Sequence, residues 1–199
     1  MANSRAPGQI AAWPAHSTLL RIIAMILLAL ILLVGIAVIV IWLAVKPRKL
    51  VYTIESGSIH NYNLTADHLN ATFNFGLRAY NPNSKVSIYY DRIETRVLYD
   101  DSTVAFNNVQ PFYQPRRNVT HLGLNLVATN AELFPGTARN LRMERSTGEI
   151  EVELRVKAKI RFKVGAIKSH RTLRLLCGPL VVHFSSSRNF ERTFCDIDL

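Results

Sequence analysis

Two cysteines, six histidines and a run of glutamates are the residues of this chain best suited to chemistry, and their spacing favours a cross-link over catalysis. Cys177 and Cys195 are the only thiols, and an even pair suits a disulfide in an oxidising compartment. The competing reading is two buried thiols in a cytosolic domain. A bridge would close a loop of about 18 residues and stabilise the domain by roughly 3 kcal/mol in the chain-entropy description. His16, His60, His68, His121, His170 and His183 are scattered, none forms H-E-x-x-H, and none sits at ligand spacing from a cysteine. Glu149, Glu151 and Glu153 recur at every second residue, which puts them on one strand face toward water, unsuited to a glycosidase pair. Nucleophile-elbow, Walker and dinucleotide fingerprints do not occur. The expectation is a protein that is not an enzyme and holds no cofactor or metal.

The third candidate chemistry is glycosylation. Asn63-Leu64-Thr65, Asn70-Ala71-Thr72 and Asn118-Val119-Thr120 are acceptor sequons, each weak alone. All three, and both cysteines, follow the uncharged stretch Ile22 to Val45. As a helix that stretch is about 36 Å long. It exceeds the roughly 30 Å core of a bilayer and spans it with some tilt. A cleaved signal would have a shorter apolar region and a small-residue cut site, whereas this run ends in Lys46-Pro47-Arg48-Lys49. The expected organisation is a disordered tail over 1–18, an anchor over 19–46 and a folded domain over 47–199. The flanking charges mildly favour a cytosolic domain. The sequons and cysteines favour a cytosolic N-terminus with the domain outside the cytosol, and that topology is adopted.

A net charge of +10 invites a nucleic-acid reading. Five of the 24 basic residues lie in residues 1–49 with no acid, leaving 19 against 14 acidic residues beyond. Basic residues beside a membrane helix meet anionic headgroups favourably. Zinc-finger spacing, RNA-binding aromatic motifs and dense basic tracts are lacking, so nucleic acid is not an expected partner.

Period two dominates after the anchor. Strands are expected at Leu50 to Ile54, Thr72 to Tyr80, Val86 to Tyr90, Ile93 to Tyr99, Thr103 to Phe106 and Val119 to Val127. Glu149 to Val164 alternates without a break, with Ile150 through Val164 on one face. Its other face carries Arg155, Lys157, Lys159, Arg161 and Lys163, a candidate binding surface. The preferred reading of that face is a solvated strand kept charged to discourage edge pairing. Thr129 to Arg145 is the one candidate helix here, interrupted by Pro135-Gly136, so a loop and a short helix are expected. Thr172 to Phe184 offers one or two strands broken at Gly178-Pro179. Seven to nine short-turned strands predict an all-β fold, an antiparallel β-sandwich preceded by one transmembrane α-helix.

Asn81-Pro82-Asn83 ends one strand and starts another: proline pushes Asn81 to extended geometry, and Asn83 tolerates a left-handed turn. Tyr89 and Tyr90 then fall on opposite faces beside Asp91, one packing inward and one reaching a polar group. These residues, with Pro111-Phe112-Tyr113-Gln114 and the following Asn118, resemble the plant NHL family, which is related to harpin-induced and non-race-specific disease-resistance proteins. That family carries the late-embryogenesis-abundant group 2 domain. The resemblance covers the anchor and nearly all of residues 50–199. It implies a single-pass plasma-membrane protein, in places plasmodesmal, with an immunoglobulin- or fibronectin-III-like sandwich outside and a non-enzymatic role in defence. The tail lacks the basic, cysteine-rich run of many relatives, and the polar C-terminal end carries no attachment signal.

Two functions remain. One is an interaction protein, anchored in the lipid bilayer and contacting a protein or cell-wall partner. The other is a lipid-binding or stress-protective module with an apolar groove beside the bilayer. An open channel toward Leu50 favours the second, a closed core the first.

Overall fold

The computed structural model describes residues 15–45, 48–165, 167–184 and 190–198, in two compact units, Met1–Lys46 and Pro47–Leu199. In the first, helix α1 spans Ala15–Val45, and its Thr18–Val40 stretch is long and apolar enough to cross a membrane. Residues 1–14 of the expected tail lie outside the described residues, and its last four are helical.

The second unit is built from antiparallel strands. In chain order they are β1 Val51–Thr65, β2 His68–Asn81, β3 Val86–Tyr99, β4 Ser102–Val109, β5 Phe112–Gln114 and β6 Asn118–Glu132. Helix α2, Pro135–Thr147, follows, then β7 Glu149–Val164, β8 Ile167–His183, β9 Thr193–Phe194 and β10 Asp196–Asp198. The strands form one nearly closed sheet in the order β10-β8-β7-β3-β4-β6-β2-β1-β9, with β5 on β3. Between β4 and β6 the ladder narrows to a single pair, Phe106 opposite Val127. The sheet is therefore two walls, β1-β2-β6 and β3-β7-β8, sandwiched face to face. Alternation explains both: in β2, Leu69, Ala71, Phe73, Phe75, Leu77 and Ala79 are buried with half-exposed residues between. In β7, Ile150, Val152, Leu154, Val156, Ala158 and Ile160 face the core.

Three local readings change. Val86–Tyr90 and Ile93–Tyr99 are one strand, β3, because Tyr90 and Arg92 oppose Ile160 and Lys159, leaving Asp91 as an extra, bulged residue. The bulge flips the inward parity from Ile88 and Tyr90 to Ile93, Thr95 and Val97, which reads in sequence as a break. Pro135-Gly136 opens α2 and does not interrupt it, since proline in the first turn lacks only an N–H that has no helical partner there. The helix closes on Gly148 in the left-handed conformation. β8 runs through Gly178-Pro179, which fall at a register shift between Val152/Leu180 and Leu154/Cys177, where no ladder donor is needed.

One end of the sandwich is covered by a helix. At the end holding the β1–β2 and β3–β4 turns, α2 buries Thr137, Ala138 and Leu141. There the Tyr99 hydroxyl donates to Glu144 at 2.9 Å and the Thr137 hydroxyl to Asp100 at 3.2 Å. Between the walls, the gap bounded by Tyr52, Tyr90, Phe112 and Leu175 holds about 10 Å³, space for one water at most.

Candidate functional site

The Asn-Pro-Asn turn sits at the opposite end, where the chain enters β1. Asn81 is fully buried. Its Nδ2 donates to the carbonyls of Val86 (2.9 Å) and Pro115 (3.0 Å), and its Oδ1 accepts the Asn83 backbone N–H and Nδ2, both at 3.1 Å. Asn83 reaches on to the entering chain: its Oδ1 accepts the Arg48 N–H at 2.7 Å and its Nδ2 donates to the Arg48 carbonyl at 2.9 Å. The Asn83 carbonyl accepts the Arg117 N–H at 3.0 Å. Two amides thus tie three segments, 48, 81–86 and 115–117. Pro82 sets the turn between them.

The two tyrosines divide their work differently from the sequence expectation. The buried one takes the polar partners: Tyr90 and Tyr52 share a 2.6 Å hydroxyl–hydroxyl bond, and Tyr90 donates to Gln114 Oε1 at 3.0 Å. Gln114 Nε2 donates to the Ala79 carbonyl at 2.9 Å. Tyr52 and Ala79 belong to one wall, Tyr90 and Gln114 to the other, so the chain of bonds crosses the core. Phe112 stacks on Tyr90 with ring centroids 4.2 Å apart, following exposed Pro111. Burial pushes the Tyr90 hydroxyl up to about 12, and burial and then the Tyr90 charge push Tyr52 well above the usual phenol range. Outside, Tyr89 packs against Tyr113 at 4.5 Å, under the Arg161 guanidinium, whose Nε donates to Asp91 at 2.7 Å.

A second closure joins the outer strands of the sheet. β9 pairs with β1 and β10 with β8, and only Cys195 separates β9 from β10. The Cys195 N–H bonds to the Tyr52 carbonyl at 3.0 Å, while its sulfur is bridged to Cys177 of β8, with Cα atoms 4.2 Å apart. The C-terminal segment therefore straps the seam between β1 and β8. The Phe190 ring lies over Gly57, where a Cβ would stand 2.4 Å from a ring carbon.

Of the basic residues on β7, Arg155 pairs with Glu153 at 2.7 Å and with Asp101 at 3.5 Å, and Arg161 pairs with Asp91. Lys157, Lys159 and Lys163 point to solvent. Across the strands Lys157 faces Glu94 and Arg174, and Lys159 faces Arg92 and Thr172. The acceptor Asn63 is exposed, opposite Asn70 across the β1–β2 hairpin. Asn70 is half-buried and accepts the Asn130 N–H at 2.8 Å; Asn118 is half-buried and accepts the Thr120 hydroxyl at 3.2 Å. Among the described residues no three His, Cys, Asp or Glu side chains are placed to hold a metal.

Sequence reasoning missed Tyr52 and Arg48. Tyr52 shares the inward parity of Ile54, and a phenol in an inward position needs a partner. It also missed Glu55, whose carboxylate gathers Arg78, His121 and Arg192 at 3.8, 3.5 and 3.3 Å.

The family model described as late embryogenesis abundant protein (LEA_2) matches residues 76–175, half of the chain and the stretch that holds all three motifs. The chain belongs to this family. An uncharacterized Arabidopsis thaliana protein is 35% identical over 179 residues, spanning 87% of this chain and 80% of that one. NDR1/HIN1-like protein 10 of the same plant is 30% identical, spanning 90% and 84%, and NDR1/HIN1-like protein 3 is 33% identical, spanning 90% and 80%. These likenesses place the chain among the NHL proteins with a LEA-2 domain. In LEA-2 terms the matched span runs from β2 to β8, so the strap of β9 and β10 and the β1 strand it seals lie outside it.

Proposed function

We propose that this LEA-2 chain is a non-catalytic interaction protein of plant defence, anchored by α1 in the plasma membrane or at plasmodesmata. Its N-terminus is cytosolic, and its β domain meets a protein or cell-wall partner outside the cytosol. The observation that carries the interaction reading is the filled interior. A ligand pocket takes roughly 300 Å³ or more, whereas the gap between the walls at Tyr52 and Tyr90 holds about 10 Å³. That weighs against a lipid held between the walls at this point; the larger groove, about 500 Å³ among Glu94, Arg155, Lys157, Leu176 and Ile197, opens on the outer face of β7, β8 and β10 and leaves the outer surface to make contacts. The formed Cys177–Cys195 bridge supports an oxidising compartment for the domain. The defence role rests on likeness to NDR1/HIN1-like proteins.

Protease added to intact cells of the native host tests the topology: digestion of residues 48–199 is expected, and shielding that ends only on permeabilisation overturns it. Mass spectrometry of the purified full chain tests the filled core. One lipid carried per chain through delipidation would favour the lipid-holding reading.

A further inference from the structure

We propose that one rim of the β domain docks on the anionic phospholipid headgroups of a membrane. Four connections meet there: the chain entering β1 at 48–50, the β2–β3 turn at 81–86, the β5–β6 turn at 115–117 and the β7–β8 turn between Lys163 and Lys168. Register brings their strand ends side by side, with Val51 opposite Tyr80, Asn81 opposite Asn118, Val86 opposite Val164 and Val164 opposite Ile167. The first connection carries Arg48 and Lys49, the second Lys85, the third Arg116 and Arg117, and the fourth is flanked by Lys163 and Lys168. All seven side chains are exposed. No Asp or Glu occurs in any of the four connections. Among the described residues no carboxylate pairs with these seven.

Elsewhere on the domain arginines are matched in place: Arg78 by Glu55, Arg142 by Asp67, Arg155 by Glu153 and Arg174 by Asp198. The other end of the walls collects Asp67, Asp100, Asp101 and Glu149. These carboxylates lie beside Arg139, Arg142 and Arg145 of α2, so that end mixes both signs while the rim is cationic throughout. The Asn81–Asn83 network fixes three of the four connections to one another, so the cations form a set array and not independent loops.

The occupant follows from where the chain enters. Val45 ends α1, and Arg48 lies three residues on. Three peptide units reach about 11 Å at most, close to the roughly 8 Å screening length of physiological salt. A bilayer holding α1 therefore lies within the field of this rim, and each Lys or Arg near an anionic leaflet is attracted to it. The inference takes α1 as the membrane span and concerns a leaflet that carries anionic lipid, on whichever side of the membrane the domain faces.

The test uses the full chain in nanodiscs, with a nitroxide on Ser84→Cys, an exposed position between Asn83 and Lys85; the native thiols are bridged to each other. A second label on Asp101→Cys reports the far end. In discs of phosphatidylcholine and phosphatidylserine, access of a soluble nickel relaxant to the Ser84 label is expected to fall about twofold relative to phosphatidylcholine alone. Added salt should restore it, and the Asp101 label should stay unchanged. The triple variant Lys85→Gln, Arg116→Gln, Arg117→Gln should lose the difference. Equal access in both lipids, or protection that survives salt, overturns the proposal. So does equal protection by soluble polygalacturonate in phosphatidylcholine discs, which would make the rim a site for an acidic polysaccharide. The salt arm needs no variant, so the test stands even if the triple variant fails to fold. Since insertion is read by co-elution with the disc, the outcome is separate from topology in cells.

Discussion

Asn83 holds the backbone of Arg48 at both of its polar groups, accepting its N–H at 2.7 Å and donating to its carbonyl at 2.9 Å. The side chain thus acts as a short strand partner for the segment that precedes β1. Asn83→Ala removes these bonds and the one to Asn81. At about 1 kcal/mol net per hydrogen bond the domain should lose roughly 2–3 kcal/mol. Denaturant unfolding of the full chain in detergent measures it. A loss within about 0.5 kcal/mol, the range of ordinary surface changes, would contradict the clasp.

The Tyr52–Tyr90 pair makes stability fall in alkali. Folded Tyr90 keeps its proton up to about 12 while an unfolded tyrosine gives its up near 10. Above pH 10 the unfolded state binds fewer protons, so stability drops as pH rises and continues to drop until the folded phenol ionises. The pair is fully stabilising below pH 10. Tyr52→Phe should flatten the decline between pH 10 and 12, followed by chemical denaturation at stepped pH. An unchanged slope would remove the buried pair as its cause.

Releasing the strap should cost more than a surface bond. Cys177→Ala with Cys195→Ala opens a loop whose closure is worth roughly 3 kcal/mol, and β9 and β10 have only a few ladder bonds each. Limited proteolysis should then cut within 190–198 well before the core strands. Resistance equal to the parent protein would show that the strap holds without its bridge. Gly57→Ala, which drives a Cβ into the Phe190 ring, should loosen the same segment with the disulfide intact.

Exposure orders the acceptor sites. Asn63 is exposed, its amide oxygen accepting the Thr65 hydroxyl at 3.3 Å, whereas Asn70 and Asn118 are half-buried. In protein from the native host, Asn63→Gln should remove most of the mobility shift that a glycosidase removes. A shift that survives in full would assign the glycan to Asn70 or Asn118, and no shift at all would count against the extracytoplasmic domain.

Period-two patterns were legible because alternation depends only on residues a few positions apart. β7 appears over Glu149–Val164 as its residues require, and β2 buries Phe73, Phe75, Leu77 and Ala79 as read. The cysteine pair was legible because two thiols have one partner each. β3 was read as two strands because Asp91 inverts the parity, and α2 was read as broken because proline at a helix start and proline in a helix look alike until the first turn is located.

The sequence by itself determined an apolar helix, an alternating β domain, a disulfide and three motifs with no catalytic geometry. Tertiary structure alone decided that the motifs converge: Asn83 on Arg48, 35 residues away, and Tyr90 on Tyr52, 38 residues away. It also decided that residues 193–198 close the seam between β1 and β8, and that seven cations from four connections share one rim. Local spacing fixes which way a side chain points. Which distant groups it meets depends on strand order and register, set by the packing of the whole sheet.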